Sequence, residues 1–304
     1  MTMADPLTER AAIVALLRSG ERSWPQLASD VLDAGSALAV YRQRPRQDDL
    51  FTADGDDPLL SAAEEIRQWE AAGIGVHGVL DEGYPSLLRD IRERPPLLFT
   101  RGILARDSHA IAVVGTRKPS DRGRRIARMV ARHLVDRNVT VVSGLAAGID
   151  GEAHRAALAA GGRTVAVIGT GITRVYPAHH HELQEEIATR GLVISQFWPD
   201  APPRREQFPM RNAVMSGYTA ATVVIEAGQH SGARIQARLA LEHGRQVILL
   251  AGLLTLDWAR ALTHRPGVMV AETPDELFSA IDAVLEERTR QLSPSGDFAD
   301  IVFA

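Results

Sequence analysis

Between residues 110 and 290 the chain repeats one local pattern. A short run of apolar residues closes on a glycine or a small polar residue, and a stretch with helical spacing follows. The runs 111–114, 140–142 and 165–168 close on Gly115, on Ser143-Gly144 and on Gly169-Thr170-Gly171. The run 223–225 closes on Glu226, and 247–250 on Ala251-Gly252; 192–194 and 268–270 read as further strands. The stretches 123–135, 151–160, 179–189, 235–242 and 275–287 carry apolar residues at helical intervals, as Ile126, Met129, Val130, Ala131 and Leu134 do in the first. Strands that are apolar on both faces belong inside a sheet covered by helices on both sides. The pattern therefore predicts an α/β fold with a doubly wound, mostly parallel sheet over residues 74–290. The carboxyl ends of its strands would open on one crevice.

The N-terminal part has a different texture. Residues 7–43 hold two helix-like apolar patterns, residues 44–58 are polar, acidic and broken by Pro and Gly, and 59–72 return to helical spacing. Residues 1–73 are thus expected to form a small N-terminal helical module with its linker. Residues 291–304 are expected as a flexible tail, with Ile301-Val302-Phe303 as its part suited to pairing.

Composition narrows the function. Of 304 residues, 45% are hydrophobic and 24% charged, enough for buried cores and against a wholly disordered chain. No apolar run is long enough to span a bilayer. The first residues lack the features of a signal peptide, so a cytoplasmic location without membrane contact is expected. The absence of cysteine excludes disulfides, thiol catalysis and cysteine-ligated metals. A net charge of −4 argues against coating nucleic acid by bulk charge but leaves a local basic site open. Lys118 is the only lysine among 34 basic residues. Codon bias accounts for that, and arginine also suits bidentate phosphate recognition; the bias decides nothing between them.

The strand ends carry the chemistry. Gly115-Thr116-Arg117-Lys118-Pro119-Ser120 combines a close-approach glycine, two cations and a helix cap, an arrangement that suits an anion. A plain strand–turn–helix with solvated basic residues reads the same way. Ser143-Gly144 through Gly148 again favours a phosphate or sugar, with Asp150 read as the N-cap of the next helix. Asp150 and His154 share a helical face, which admits an acid–base or metal pair only if further ligands join them. Gly169-Thr170-Gly171 is followed by Tyr176, suited to base stacking or to plugging the domain edge, and by three histidines expected to be solvated or capping. Arg211-Asn212 at a helix start could hold a phosphate and a base edge, or an interface salt bridge. Ser231-Gly232 opens another helix and is a further anion cradle. Glu226 is either a catalytic carboxylate or the partner of Arg117 or Arg211. Arg122, Arg124, Arg125, Arg128, Arg132 and Arg137 make either a solvated helix face or a track for a nucleic-acid backbone, which Arg204 and Arg205 could extend.

Taken in order, these segments form a recognisable set. It comprises Tyr84-Pro85-x-x-Leu88, Pro95-Pro96-Leu97-Leu98, Gly115-Thr116-Arg117, and Ser143-Gly144-Leu145-Ala146-x-Gly148-Ile149-Asp150-x-x-Ala153-His154. Gly169-x-Gly171 with Tyr176-Pro177, Phe208-Pro209-x-Arg211-Asn212, and Glu226-Ala227 with Ser231-Gly232 complete it. The set closely resembles the DNA-processing protein A family (DprA, also called Smf) over about residues 74–252. The resemblance implies an extended Rossmann-like domain, often preceded by a helical module. It implies binding of single-stranded DNA without sequence preference or catalysis, loading of the recombinase RecA during natural transformation (competence), and a homodimer. No cofactor or metal is implied. By motif, Arg117, Ser143, Gly144, Arg211 and Asn212 would line a phosphate pocket, with Lys118 added on charge. Gly115, Gly169, Ser231 and Gly232 complete the expected DNA-binding set.

The chain departs from the family pattern in several places. Ala213 replaces the second arginine of Arg-Asn-Arg, with Arg234 as a possible substitute. Gln196 stands for a usual Glu, and Gln236 for the Thr of Ser-Gly-x-x-x-Thr-Ala. The Gly-x-Asn-x-Leu-Ile motif after Gly252 is missing, and no C-terminal winged-helix module is expected in the short remainder. The alternative reading is a nucleotide-binding or nucleotide-hydrolysing enzyme or sensor on the same kind of fold, using Glu226. A third is an interaction protein whose N-terminal helices recruit a partner.

Overall fold

The computed structural model describes residues 5–44 and 57–292. Four helices come first: α1 (Pro6–Ser19), α2 (Trp24–Ala34), α3 (Ala37–Arg42) and α4 (Pro58–Ala71). Next are β1 (Gly75–Gly78), α5 (Ser86–Arg89) and β2 (Leu97–Gly102). The alternating part runs β3 (Ala110–Val114), α6 (Asp121–Asp136), β4 (Thr140–Ser143), α7 (Ile149–Ala159), β5 (Thr164–Val167), α8 (His181–Arg190) and β6 (Leu192–Ser195). It continues with α9 (Gln207–Tyr218), β7 (Ala221–Val224), α10 (Gly232–Glu242), β8 (Gln246–Leu250), α11 (Asp257–Leu262), β9 (Val268–Ala271) and α12 (Pro274–Leu292).

The described strands form one sheet in the order β1-β2-β6-β5-β4-β3-β7-β8-β9. From β6 to β9 every ladder is parallel; only β1 with β2 and β2 with β6 are antiparallel. The expected doubly wound α/β sheet is therefore present. Strands β1 and β2 were not among the expected ones. β1 is a four-residue element with glycine at both ends and shows no apolar run; β2 does carry the run Leu97-Leu98-Phe99, but directly behind two prolines and with no glycine-closed strand–helix unit around it. Tertiary pairing makes them strands.

Helices α6, α7 and α12 bury Val130, Leu134, Ala153, Ile281 and Val284 against Ile111, Val113, Val141, Val223 and Ile248. The other main cluster joins Val114, Val142 and Val247 to α9 and α10 and runs on, unbroken across residue 73, into α1–α4. Trp24, Trp69 and Trp198 meet there around Phe99, with ring centroids 5.2–6.0 Å apart, tying the N-terminal helices to the β1–β2 end of the sheet. Locally, Pro in the first turn and a left-handed glycine at the end delimit α1 (Gly20, φ 68°) and α2 (Gly35, φ 65°). The central part of the expected linker, 45–56, and residues 293–304 of the expected tail lie outside the described residues; Gln291 and Leu292 belong to α12.

Strand β3 is the switch point. From it the sheet grows one way through β4, β5 and β6, and the other way through β7, β8 and β9. Loops leaving β3 and β7 in opposite directions open a crevice at their carboxyl ends.

Candidate functional site

Three loops meet in the crevice at backbone distance. Thr116 N–H donates to Glu226 O at 2.6 Å, and Ile149 N–H donates to Thr116 O at 3.2 Å. A methyl group at Gly115 would stand 2.6 Å from Ile149 Cγ1 and 2.8 Å from Glu226 O, so only glycine lets the loops close. Gly148 turns with φ +84° directly against Thr116 O.

Arg211 reaches this point from the second turn of α9, one turn inside the helix start that the sequence suggested. It is 6% exposed. Its Nη1 donates to Gly144 O and to Val167 O (2.7 Å), and its Nε donates to Asn212 Oδ1 (3.1 Å). Burial pushes its pKa below the usual guanidinium range, and the charge of Asp150 counters that. Asp150 is not the helix N-cap, a position held by Gly148. Its Oδ2 accepts from Gly144 N–H (3.2 Å) and Ala146 N–H (3.3 Å), bracing the loop, and burial raises its pKa. His154 makes no metal pair with it. His154 Nδ1 lies 2.7 Å from Thr164 Oγ1, and burial lowers its pKa to about 3. Among the described residues no group of three or more His, Asp or Glu could hold a metal. Of the three histidines, His180 holds the N-cap position of α8, as the capping expectation allows, but its side chain is buried and makes no cap bond, with Nδ1 3.0 Å from Leu145 O instead.

Two hollows open side by side. The smaller, about 60 Å³, is lined by Arg117, Gly144, Gly169, Tyr176, Phe208 and Arg211 among others. The larger, about 580 Å³, takes in Gly115, Arg117, Lys118, Asn212, Ser231 and Gly232. Arg117, Ala146, Phe208 and Arg211 belong to both. Phe208 is the hinge: the guanidinium carbons of Arg117 and Arg211 lie 5.7 and 6.0 Å from its ring centroid, and the Tyr176 ring lies 5.6 Å away. Tyr176 is 42% exposed, so an aromatic face is open beside two cations.

Nine of the ten expected binding residues thus line one hollow or the other. Ser143 does not. It is fully buried and its hydroxyl donates to Val113 O at 2.6 Å, tying β4 to β3 beneath the site. Glu226 is also placed differently from either expectation: it touches neither Arg117 nor Arg211. Its carboxylate accepts from Ser120 N–H (3.1 Å) and Ser120 Oγ–H (2.8 Å). The chain's own anion therefore fills the start of α6, which had looked like a phosphate cradle. Along α6, Arg128 pairs with Glu152, Arg137 with Asp282 and Arg124 with Asp121. Arg122, Arg125 and Arg132 are exposed and make no ion pair among the described residues. Arg234 is exposed and lines neither hollow. Phe208 and Gln236 stand outside the expected binding set. Phe208 sits in a quoted motif, but an aromatic residue at helical spacing reads as core. Gln236 is 1% exposed and lines the larger hollow, and its Oε1 finds no partner among the described residues.

Fold and site together define a Rossmann-like α/β protein with a basic, aromatic-edged crevice at its switch point. Residues 76–281 match the family described as DNA recombination-mediator protein A, and the chain belongs to that family. Protein Smf of Synechocystis sp. is 38% identical over 227 residues, covering 71% of this chain and 57% of that protein. DNA processing protein DprA of Streptococcus pneumoniae is 40% identical over 175 residues, 57% of this chain and 62% of that one. The chain thus spans about half to two thirds of these curated relatives. The X-ray structure of DNA processing protein A from S. pneumoniae superposes with a TM-score of 0.70 at 30% identity, covering 91% of this chain and 98% of that one. A structure of DNA processing protein A from Helicobacter pylori, concerned with its single-stranded DNA binding mode, shares the fold (TM-score 0.62, 23% identity, 70% and 96% covered). Among the described residues no helix is long and apolar enough to cross a membrane.

Proposed function

We propose that the chain binds single-stranded DNA without catalysis and acts in DNA uptake and recombination. The observation that carries this reading is the convergence of Arg117 and Arg211 on Phe208, in a hollow shared with glycine-lined loops. Arg117 and Lys118 supply charge for phosphates. Buried Arg211 shapes the loop and adds positive potential from below. Tyr176 and Phe208 offer faces for unpaired bases. Hollows of this size take single phosphates and base edges, and a paired duplex hides the faces that the aromatic side chains need. The H. pylori relative, described by its single-stranded DNA binding mode, supports the ligand. Loading of RecA and homodimerisation rest on family membership; RecA pull-down and sedimentation test them. The engagement of Glu226 at Ser120 weighs against the nucleotide-hydrolase reading, which needs that carboxylate free.

The test is fluorescence anisotropy with single- and double-stranded oligonucleotides across a salt series. Single strands should bind more tightly. In Arg117→Ala binding should weaken, and the salt slope should flatten by about 0.7 for each phosphate that the wild-type side chain neutralises. Equal affinity and slope in that variant would remove the site.

A further inference from the structure

The floor of the larger hollow holds one polar group that phosphate contacts leave unused. Asn212, Met215 and Gln236 form that floor and are buried, whereas Arg117, Lys118, Gly228 and Gly232 at the rim are exposed. Asn212 and Met215 on α9, and Ala233 and Gln236 on α10, lie three residues apart, so each pair shares one helical face. The space above Gly228 and Gly232 is open: a Cβ at either would meet nothing within 4 Å. Of the other ionisable side chains in the lining, Asp150 and Arg211 are buried and bonded to the loop at Gly144, and His230 is exposed. At about 580 Å³ the hollow is in the size range of ligand pockets and far larger than one water fills.

The two floor carboxamides differ. Asn212 uses both ends, Nδ2 donating to Gly232 O (3.4 Å) and Oδ1 accepting from Arg211 Nε (3.1 Å). Gln236 uses one: Nε2 donates to Thr222 Oγ1 (3.4 Å), and Oε1 has no donor among the described residues. A buried carbonyl oxygen left without a donor is costly, so this one calls for an N–H or O–H from outside the chain. An unpaired base supplies it. Each of the four bases carries an N–H on its pairing edge (thymine N3, guanine N1, cytosine N4, adenine N6), and in a duplex the opposite strand takes it. We propose that Gln236 is a specificity-determining residue: its Oε1 accepts the pairing-edge N–H of one unpaired base seated over Met215. This rests on the single-stranded DNA reading above. The contact selects single strands over duplex, and because every base has such an N–H it does so without choosing a sequence.

The test compares oligothymidylate with the same strand methylated at every thymine N3, by anisotropy at fixed salt. Methylation removes the pairing-edge N–H and leaves the phosphates and the stacking faces in place. The wild-type protein should bind the methylated strand at least about tenfold more weakly. In Gln236→Leu, and in Gln236→Thr, which carries the residue of the family pattern, binding of the unmodified strand should weaken and the two strands should become nearly equal. Equal affinities in the wild-type protein, with Arg117→Ala still weakening both, would overturn the proposal, leave the single-strand reading standing and assign the Oε1 atom to water. A wild-type preference that persists in both variants would also overturn it, since another group then reads the base. Failure of the wild-type protein to bind either strand would remove the single-strand reading and this proposal with it.

Discussion

At the scale of single residues, burial behind the loop has a measurable consequence. His154 is held neutral, with its pKa lowered to about 3 by desolvation and then by the nearby charges of His180, Arg155 and Arg211. In the unfolded chain the same imidazole titrates near 6.5, so between these values the unfolded state binds the extra proton. Its contribution to stability is complete above pH 6.5 and is lost as pH falls toward 3, at about 1.4 kcal/mol per unit. Urea unfolding at pH 7 and at pH 4 should show this loss, and His154→Gln should flatten the difference by about one proton's worth. An unchanged pH slope in the variant would show that other groups set the acid sensitivity. Spacing puts His154 beside Asp150, but nothing in the spacing distinguishes a buried hydrogen-bonded imidazole from a ligand. Ser143 shows the same limit. A serine at a strand end reads as a ligand contact, whereas here its hydroxyl is spent on Val113 O.

At the scale of elements, the strands that carry the crevice were legible because they are apolar on both faces, and their ends because glycine marks close backbone approach. Strand β1 was not legible, since its pairing is what defines it, and the apolar run Leu97-Leu98-Phe99 of β2 lies outside the strand–helix alternation because both of its ladders are antiparallel. The fate of a charged helix is also set by its neighbours. Six arginines in or just after α6 look alike in the sequence, yet Arg128, Arg137 and Arg124 are paired. The remaining Arg122, Arg125 and Arg132 recur at helical intervals around exposed Met129, on a helix that starts at the crevice. Changing all three to Glu should leave thermal unfolding nearly unchanged, because each is exposed. In low salt it should weaken single-stranded DNA binding and reduce the salt slope by about 2. Wild-type affinity in the triple variant would restrict the contact to the hollows themselves.

At the scale of the whole molecule, the sheet separates two kinds of surface. The crevice gathers loops from both directions of strand addition, and the segments leading into β3 and β7 wall a separate groove, lined by Leu104, Arg106 and Tyr218 among others, at the opposite end. The N-terminal helices are fastened elsewhere again, at the β1–β2 end, through Trp24, Trp69, Trp198 and Phe99. That placement gives the protein a built-in optical reporter. Three of its four tryptophans share that cluster, and none lines either hollow. Intrinsic emission should stay nearly constant while oligonucleotide is added. It should shift to the red when mild denaturant loosens the N-terminal helices; a large change on oligonucleotide addition alone would mean that the two regions communicate. One light signal thus follows the attachment of the helices while a labelled strand follows occupancy of the crevice.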